Sequence, residues 1–137
     1  MDITVTTTEL PVDRLYSADH EWVTLTSAEV PVDPVRVGIT RVAAEALGDL
    51  VFLDLPEVGA EVTAGAACGE VESTKSVSDL VAPVTGTITE INTAAVEDPG
   101  LVSADPYGAG WLFTVDVTAV GPLLTAAEYA EANEASS

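Results

Sequence analysis

The sequence predicts a mainly β protein, a small sandwich or barrel with one short internal helix and one helix at the C-terminal end. Three observations carry this. Several short runs alternate apolar and polar residues, the two-residue period of strands with one buried face. Glycines at 59, 65, 69 and 86 cut the middle of the chain into short pieces, which suits closely spaced strands joined by turns. Helix start and stop signals occur clearly in only two places.

Residues 1–19 are mixed in character and are expected to lie loosely against the body, with 1–15 as an N-terminal extension. "EWVTLT" (21–26) alternates, with Val23 and Leu25 on one face. "SAEVPVDP" carries two prolines and reads as a loop. "VRVGI" (35–39) puts Val35, Val37 and Ile39 together. Thr40 can cap a short helix, "RVAAEAL", that Gly48 ends. "LVFLDL" (50–55) predicts a strand with Val51, Leu53 and Leu55 on one face, and "PEVG" a turn after it. "CGEVES" and "VSDLVAP" read as strands on either side of "STKS", which has turn composition. Gly86, after "PVT", can supply the positive φ of a tight turn. "EINT" leads into a brief helical turn before Pro99, and "DPYGAG" is a loop that positions Trp111. "LFTVDV" (112–117) aligns Phe113, Val115 and Val117. The C-terminal helix falls within 122–137, with Thr125 and Glu128 as a capping box and a frayed tail.

One domain, 1–137, accounts for the length. Charge is the unusual property: four Lys and Arg against 23 Asp and Glu give a formal charge of −19. Such a chain repels phosphates, so nucleic acid is not an expected partner. It has no basic patch for anionic lipid and no apolar run long enough to span a membrane. The acidity has two readings, adaptation to salt or steering towards basic partner surfaces. One Cys and one His exclude an intrachain disulfide and a multi-His metal site. A cytoplasmic, monomeric protein of prokaryotic type is expected, since the N-terminus has neither an apolar signal core nor an Arg-rich presequence. His20 lacks a nucleophile partner and reads as a structural hydrogen-bonding residue. Cys68 reads as a small buried thiol, and Trp22 and Trp111 as core or cleft-wall residues.

Lys75 is the only lysine. It falls at a hairpin tip, where an amine is accessible to another enzyme but poorly placed for the desolvation that a catalytic lysine needs. Around it, "VESTKSVSDLVAPVTGTITEIN" resembles the lipoyl-attachment segment of the glycine cleavage H-protein family. "HEWV", "VGIT", "LGDLVFLDLPEVGAEVTAG" and "DPYGAGWL" resemble further motifs of that family, in its order, from about Tyr16 to Leu112.

The resemblance implies a lipoyl/biotinyl-carrier-like barrel-sandwich hybrid and a non-catalytic shuttle. Lys75 would carry lipoic acid as a swinging arm. The arm would take an aminomethyl group from a pyridoxal-phosphate glycine decarboxylase to an aminomethyltransferase that uses tetrahydrofolate. A dihydrolipoyl dehydrogenase would reoxidise the dithiol. A lipoate ligase or octanoyltransferase would attach the group, and Glu72 and Gly86 resemble the residues that such enzymes recognise. Glu21 and Asp79 match the family's acids for sheltering the loaded arm. Read without the family, Glu21 is an outward residue on a strand, Asp79 a polar residue after a turn and Glu72 a surface acid. Ser103 and Ala109 depart from the family's usual residues around "DPYG". Alternative roles are an H-like relay of lipoyl or octanoyl groups to other carrier domains, a biotin carrier, or an unmodified acidic binding module. The biotin reading is weakened because Thr74 and Ser76, not methionines, flank Lys75.

Overall fold

A computed structural model of the chain describes residues 10–27 and 29–134. Its elements run β1 (Leu15–Tyr16), β2 (Glu21–Val23), β3 (Val35–Ile39), α1 (Arg41–Leu47), β4 (Leu50–Asp54), β5 (Glu61–Val62), β6 (Ala67–Ser73), β7 (Val77–Val81), β8 (Val84–Ile91), α2 (Thr93–Glu97), α3 (Gly100–Ala104), β9 (Phe113–Val120) and α4 (Ala126–Glu134). Two antiparallel sheets result. One has six strands in the order β1-β2-β3-β9-β8-β5, and the other three, β4-β6-β7. They do not close into a barrel, so the sandwich half of the expectation describes the architecture.

The alternating runs supply the core between the sheets. Val35, Val37, Ile39, Phe113, Val115 and Val117 are all buried, as their spacing predicts. Around α1, the Thr40 hydroxyl accepts from the Ala43 amide at 3.3 Å. Gly48 closes the helix with φ +83° while its amide donates to Ala44. The capping box of α4 forms in both directions: the Thr125 amide donates to Glu128 Oε1 and the Glu128 amide to Thr125 Oγ1. This helix packs Tyr129 and Ala130 into a second apolar cluster with Leu10, Tyr16 and Trp22.

Several expectations are corrected. The segment from Leu10 is anchored rather than loose, because Leu10 and Tyr16 are buried against α4, although Val12 and Asp13 between them stay exposed. Residues 1–9 of the expected extension, and the tail 135–137, lie outside the described residues. The first alternating strand ends at Val23, although Leu25 stays buried. Leu53 is buried and Leu55 packs half-buried against the core as expected, but Val51 is exposed and Leu50 takes the inward place, because a register shift between Leu50 and Phe52 breaks the alternation. Gly86 makes no turn. It is buried within β8 between Val62 and Val117, and a Cβ there would run into the Asp116 carbonyl and the Val115 side chain. The helix α3 has no distinctive sequence signal and was not expected.

Candidate functional site

Lys75 stands at the tip of the β6–β7 hairpin. The last strand pair is Glu72 with Val77, which leaves Ser73–Ser76 to turn the chain. Ser73 organises this turn. Its hydroxyl accepts from the amides of Lys75 at 3.3 Å and Ser76 at 3.1 Å, and its own amide donates to the Ser76 carbonyl. The Thr74 amide donates to the Asp49 carbonyl, tying the tip to the segment after α1. The backbone is therefore fixed while the Lys75 side chain is exposed. The far end of the lysine passes over Gly48: its Cε lies 3.5 Å, and its Nζ 3.8 Å, from where a Gly48 Cβ would stand. Among the described residues the amine makes no hydrogen bond or ion pair.

At the other end of the hairpin the chemistry reverses. Glu21 is 2% exposed, not outward. The alternation that buries Val23 and Leu25 also turns Glu21 inward, so the residue spacing already carried that signal. Its Oε1 accepts from the Ser17 hydroxyl at 2.6 Å, and its amide donates back to Ser17 Oγ. Desolvation pushes the Glu21 carboxyl up to about 8, against the stabilising Ser17 hydrogen bond and a backbone interaction with Val81, while the Asp19 charge raises it further. No cation partners it among the described residues. Beside it, at the hairpin base, a cleft of about 190 Å³ is walled by Ser17, Asp19, Ala64, Gly65, Ala82 and Pro83.

Strand β7 connects the two ends. Lys75 precedes it, Asp79 lies within it, and Val81, whose backbone reaches Glu21, ends it. Six residues of strand cover roughly 20 Å. Glu21 and Asp79 are not in hydrogen-bond contact: Asp79 faces solvent on the three-stranded sheet, whereas Glu21 is buried on the six-stranded sheet where β7 ends. Asp79 is exposed and pairs across the hairpin with Glu70. Glu72 is exposed two residues beyond Glu70 on β6, three before Lys75. Gly86, by contrast, belongs to the six-stranded sheet and not to the hairpin.

The remaining candidates take structural places. His20 Nδ1 meets the Tyr129 hydroxyl at 2.6 Å, and burial lowers its pKa. Cys68 is a half-buried thiol pushed up to about 11 by desolvation and the neighbouring Glu21, far from the reactive thiolate range. Trp22 is core, with its indole N–H donating to the Pro106 carbonyl at 2.9 Å. Trp111 stacks under Arg36 at 4.7 Å, and Asn92 Nδ2 donates to the carbonyls of Ala109 and Trp111, so the loop is ordered as expected. Sequence reasoning missed Ser17 and Ser73. An isolated serine four residues before Glu21 carries no signal, and Ser73 was one small polar residue among four.

Comparison with known proteins identifies the family. The family model described as "Glycine cleavage H-protein" matches residues 14–136. A glycine cleavage system H protein of Corynebacterium jeikeium is 60% identical over 127 residues, covering 93% of this chain and 99% of its own. That of Beutenbergia cavernae is 58% identical over 121 residues, covering 88% and 94%. The crystal structure of a glycine cleavage system H protein from Mycobacterium marinum superposes with a TM-score of 0.89 at 65% identity, covering 90% of this chain and 98% of that one. With this likeness running nearly end to end, the chain belongs to the glycine cleavage H-protein family.

Proposed function

We propose that Lys75 carries a lipoyl group in amide linkage to Nζ, and that Glu21 and Asp79 shelter the loaded arm. As a member of its family the chain is a lipoyl carrier of the glycine cleavage system and catalyses no step itself. It works with glycine decarboxylase, the aminomethyltransferase and dihydrolipoyl dehydrogenase. The observation that supports Lys75 is its combination of properties: the only lysine of the chain, exposed and unpaired among the described residues, on a backbone that Ser73 and Asp49 hold still. An amine so placed fits a covalent arm. When attached, the dithiolane supplies a pair of sulfurs that take up and return a one-carbon unit and cycle between disulfide and dithiol.

The residues of this chain supply position and charge. Ser73 holds the Lys75 backbone, so the pivot stays fixed while the side chain turns. An arm turned back along β7 passes Asp79 towards the base of the hairpin, where Ser17, the hydrogen-bond partner of Glu21, lines the cleft. Empty, Glu21 stays protonated near neutral pH because its surroundings exclude water. A cationic amine brought beside it favours the ionised form and gains a charge-assisted hydrogen bond in a low-dielectric setting. Glu72, exposed three residues before the lysine, is proposed as a residue that the attaching enzyme recognises. Gly86 would act on that recognition only by keeping β8 and β9 close. The protein is proposed to work as a monomer in the cytoplasm, in keeping with its bacterial relatives. Among the described residues no helix is long and apolar enough to cross a membrane.

The test of the sheltering role is release of the bound one-carbon unit in the absence of folate. Glu21→Ala and Asp79→Asn proteins, loaded by glycine decarboxylase, are expected to lose it faster than wild type. Unchanged release in both would remove these residues from the role.

A further inference from the structure

Beside Lys75 the three-stranded sheet exposes apolar surface that the fold does not need. Phe52, Glu72 and Val77 are direct cross-strand partners on β4, β6 and β7, so their side chains share one face. Phe52 is 54% and Val77 57% exposed. The cause is the bulge in β4. Leu50 pairs with Ser73 and Phe52 with Glu72, leaving Val51 as the extra residue. Without it, Phe52 would follow Leu50 to the inward face; with it, a phenyl ring stands in water next to the hairpin tip. Bulges that re-aim a side chain in this way concentrate near functional sites.

The next row along the same strands is Asp54, Glu70 and Asp79, again direct cross-strand partners and all exposed. Like charges directly opposite one another are destabilising. No basic side chain offsets them: among the described residues the one ion pair is Arg14 with Asp13, at 3.3 Å. An apolar strip backed by uncompensated carboxylates fits a partner with an apolar rim and basic groups behind it.

We propose that this face, centred on Phe52 and Val77, is the docking surface for the enzyme that acylates Lys75. The inference rests on the reading of Lys75 as the attachment site. The choice of occupant follows from reach. The attaching enzyme must bring its reacting centre to Nζ itself, so it has to cover the residues around the tip. Enzymes that act on the arm's dithiolane meet the carrier an arm's length away. In the attachment, Nζ gives up two protons and forms an amide with the acyl carbon of lipoyl-adenylate, and AMP leaves.

The experiment uses the unmodified full chain, a lipoate ligase, lipoate and ATP, with intact mass as the readout. Phe52→Ser and Val77→Ser are expected to raise KM for the carrier about tenfold each with kcat retained, the size of effect a contact at an interface centre gives. Phe52→Leu should restore most of it, and far-UV circular dichroism should stay unchanged because both side chains are exposed. Asp54→Asn/Glu70→Gln should flatten the rise of KM with salt. Once fully lipoylated, the Phe52→Ser protein should serve glycine decarboxylase at the wild-type rate. Wild-type KM in both serine variants overturns the docking surface and leaves the attachment site standing. An equal loss in the decarboxylase step of pre-loaded protein overturns the choice of occupant. Absence of acylation in the wild type overturns the reading of Lys75 first.

Discussion

The two ends of the β6–β7 hairpin are built on opposite physics. At the tip, Lys75 is exposed and its turn is held by hydrogen bonds from one serine. At the base, Glu21 is buried, bonded to another serine, and pushed to about 8 by lost solvation. The tip keeps its charge in water, where another enzyme can reach it. The base keeps its carboxyl out of water, which favours the protonated form. In the proposed carrier one end would be loaded and the other would hold the load, and a single five-residue strand runs between them.

The largest expected effect breaks the base. Glu21 keeps its proton in the folded chain up to about pH 8, whereas in the unfolded chain it releases it near the ordinary glutamate value of 4.5. Between these values the folded state binds more protons, so the Glu21 contribution to stability falls as pH rises and is lost above 8. Glu21→Gln removes that fall. Urea unfolding at pH 5 and pH 9 should show the variant gaining on wild type by on the order of 4 kcal/mol across the interval. Parallel pH profiles would mean that Glu21 is not desolvated as the geometry indicates.

A smaller effect separates fold from recognition. Gly86→Ala forces a Cβ against the Asp116 carbonyl and Val115, and should cost about 1–3 kcal/mol of stability. Lipoylation at a temperature where the variant is folded should match wild type. A loss of acylation with full stability would give Gly86 a direct contact with the attaching enzyme. The smallest effect loosens the tip. Ser73→Ala removes the acceptor for the Lys75 and Ser76 amides and should cost about 1 kcal/mol, with faster amide exchange confined to residues 73–76. Exchange spreading into β6 and β7 would show that the turn holds the hairpin, not only its tip.

Much of the fold was legible because local signals and packing agree. Thr40 and Gly48 bound α1, Thr125 and Glu128 start α4, and the alternations of β3 and β9 bury the residues their spacing selects. The failures within the sheets have a common source, since they depend on what a strand pairs with. The bulge at Val51 is set by β6, and Gly86 is needed by the close approach of β9; neither neighbour is visible in the local sequence. Lys75 stood out by composition, whereas its cargo came from family resemblance. Glu21 could have been placed inward from Val23 and Leu25 alone, but its pairing with Ser17 needed the turn before β2, where His20 adopts φ +69°.

The most direct test of the central claim is the intact mass of the protein from its native host, beside Lys75→Arg expressed in the same cells. One lipoyl increment in the wild type, and none in the folded variant, is the predicted result. An unmodified wild-type mass in a cell that makes lipoate, or an increment that survives in Lys75→Arg, would contradict it.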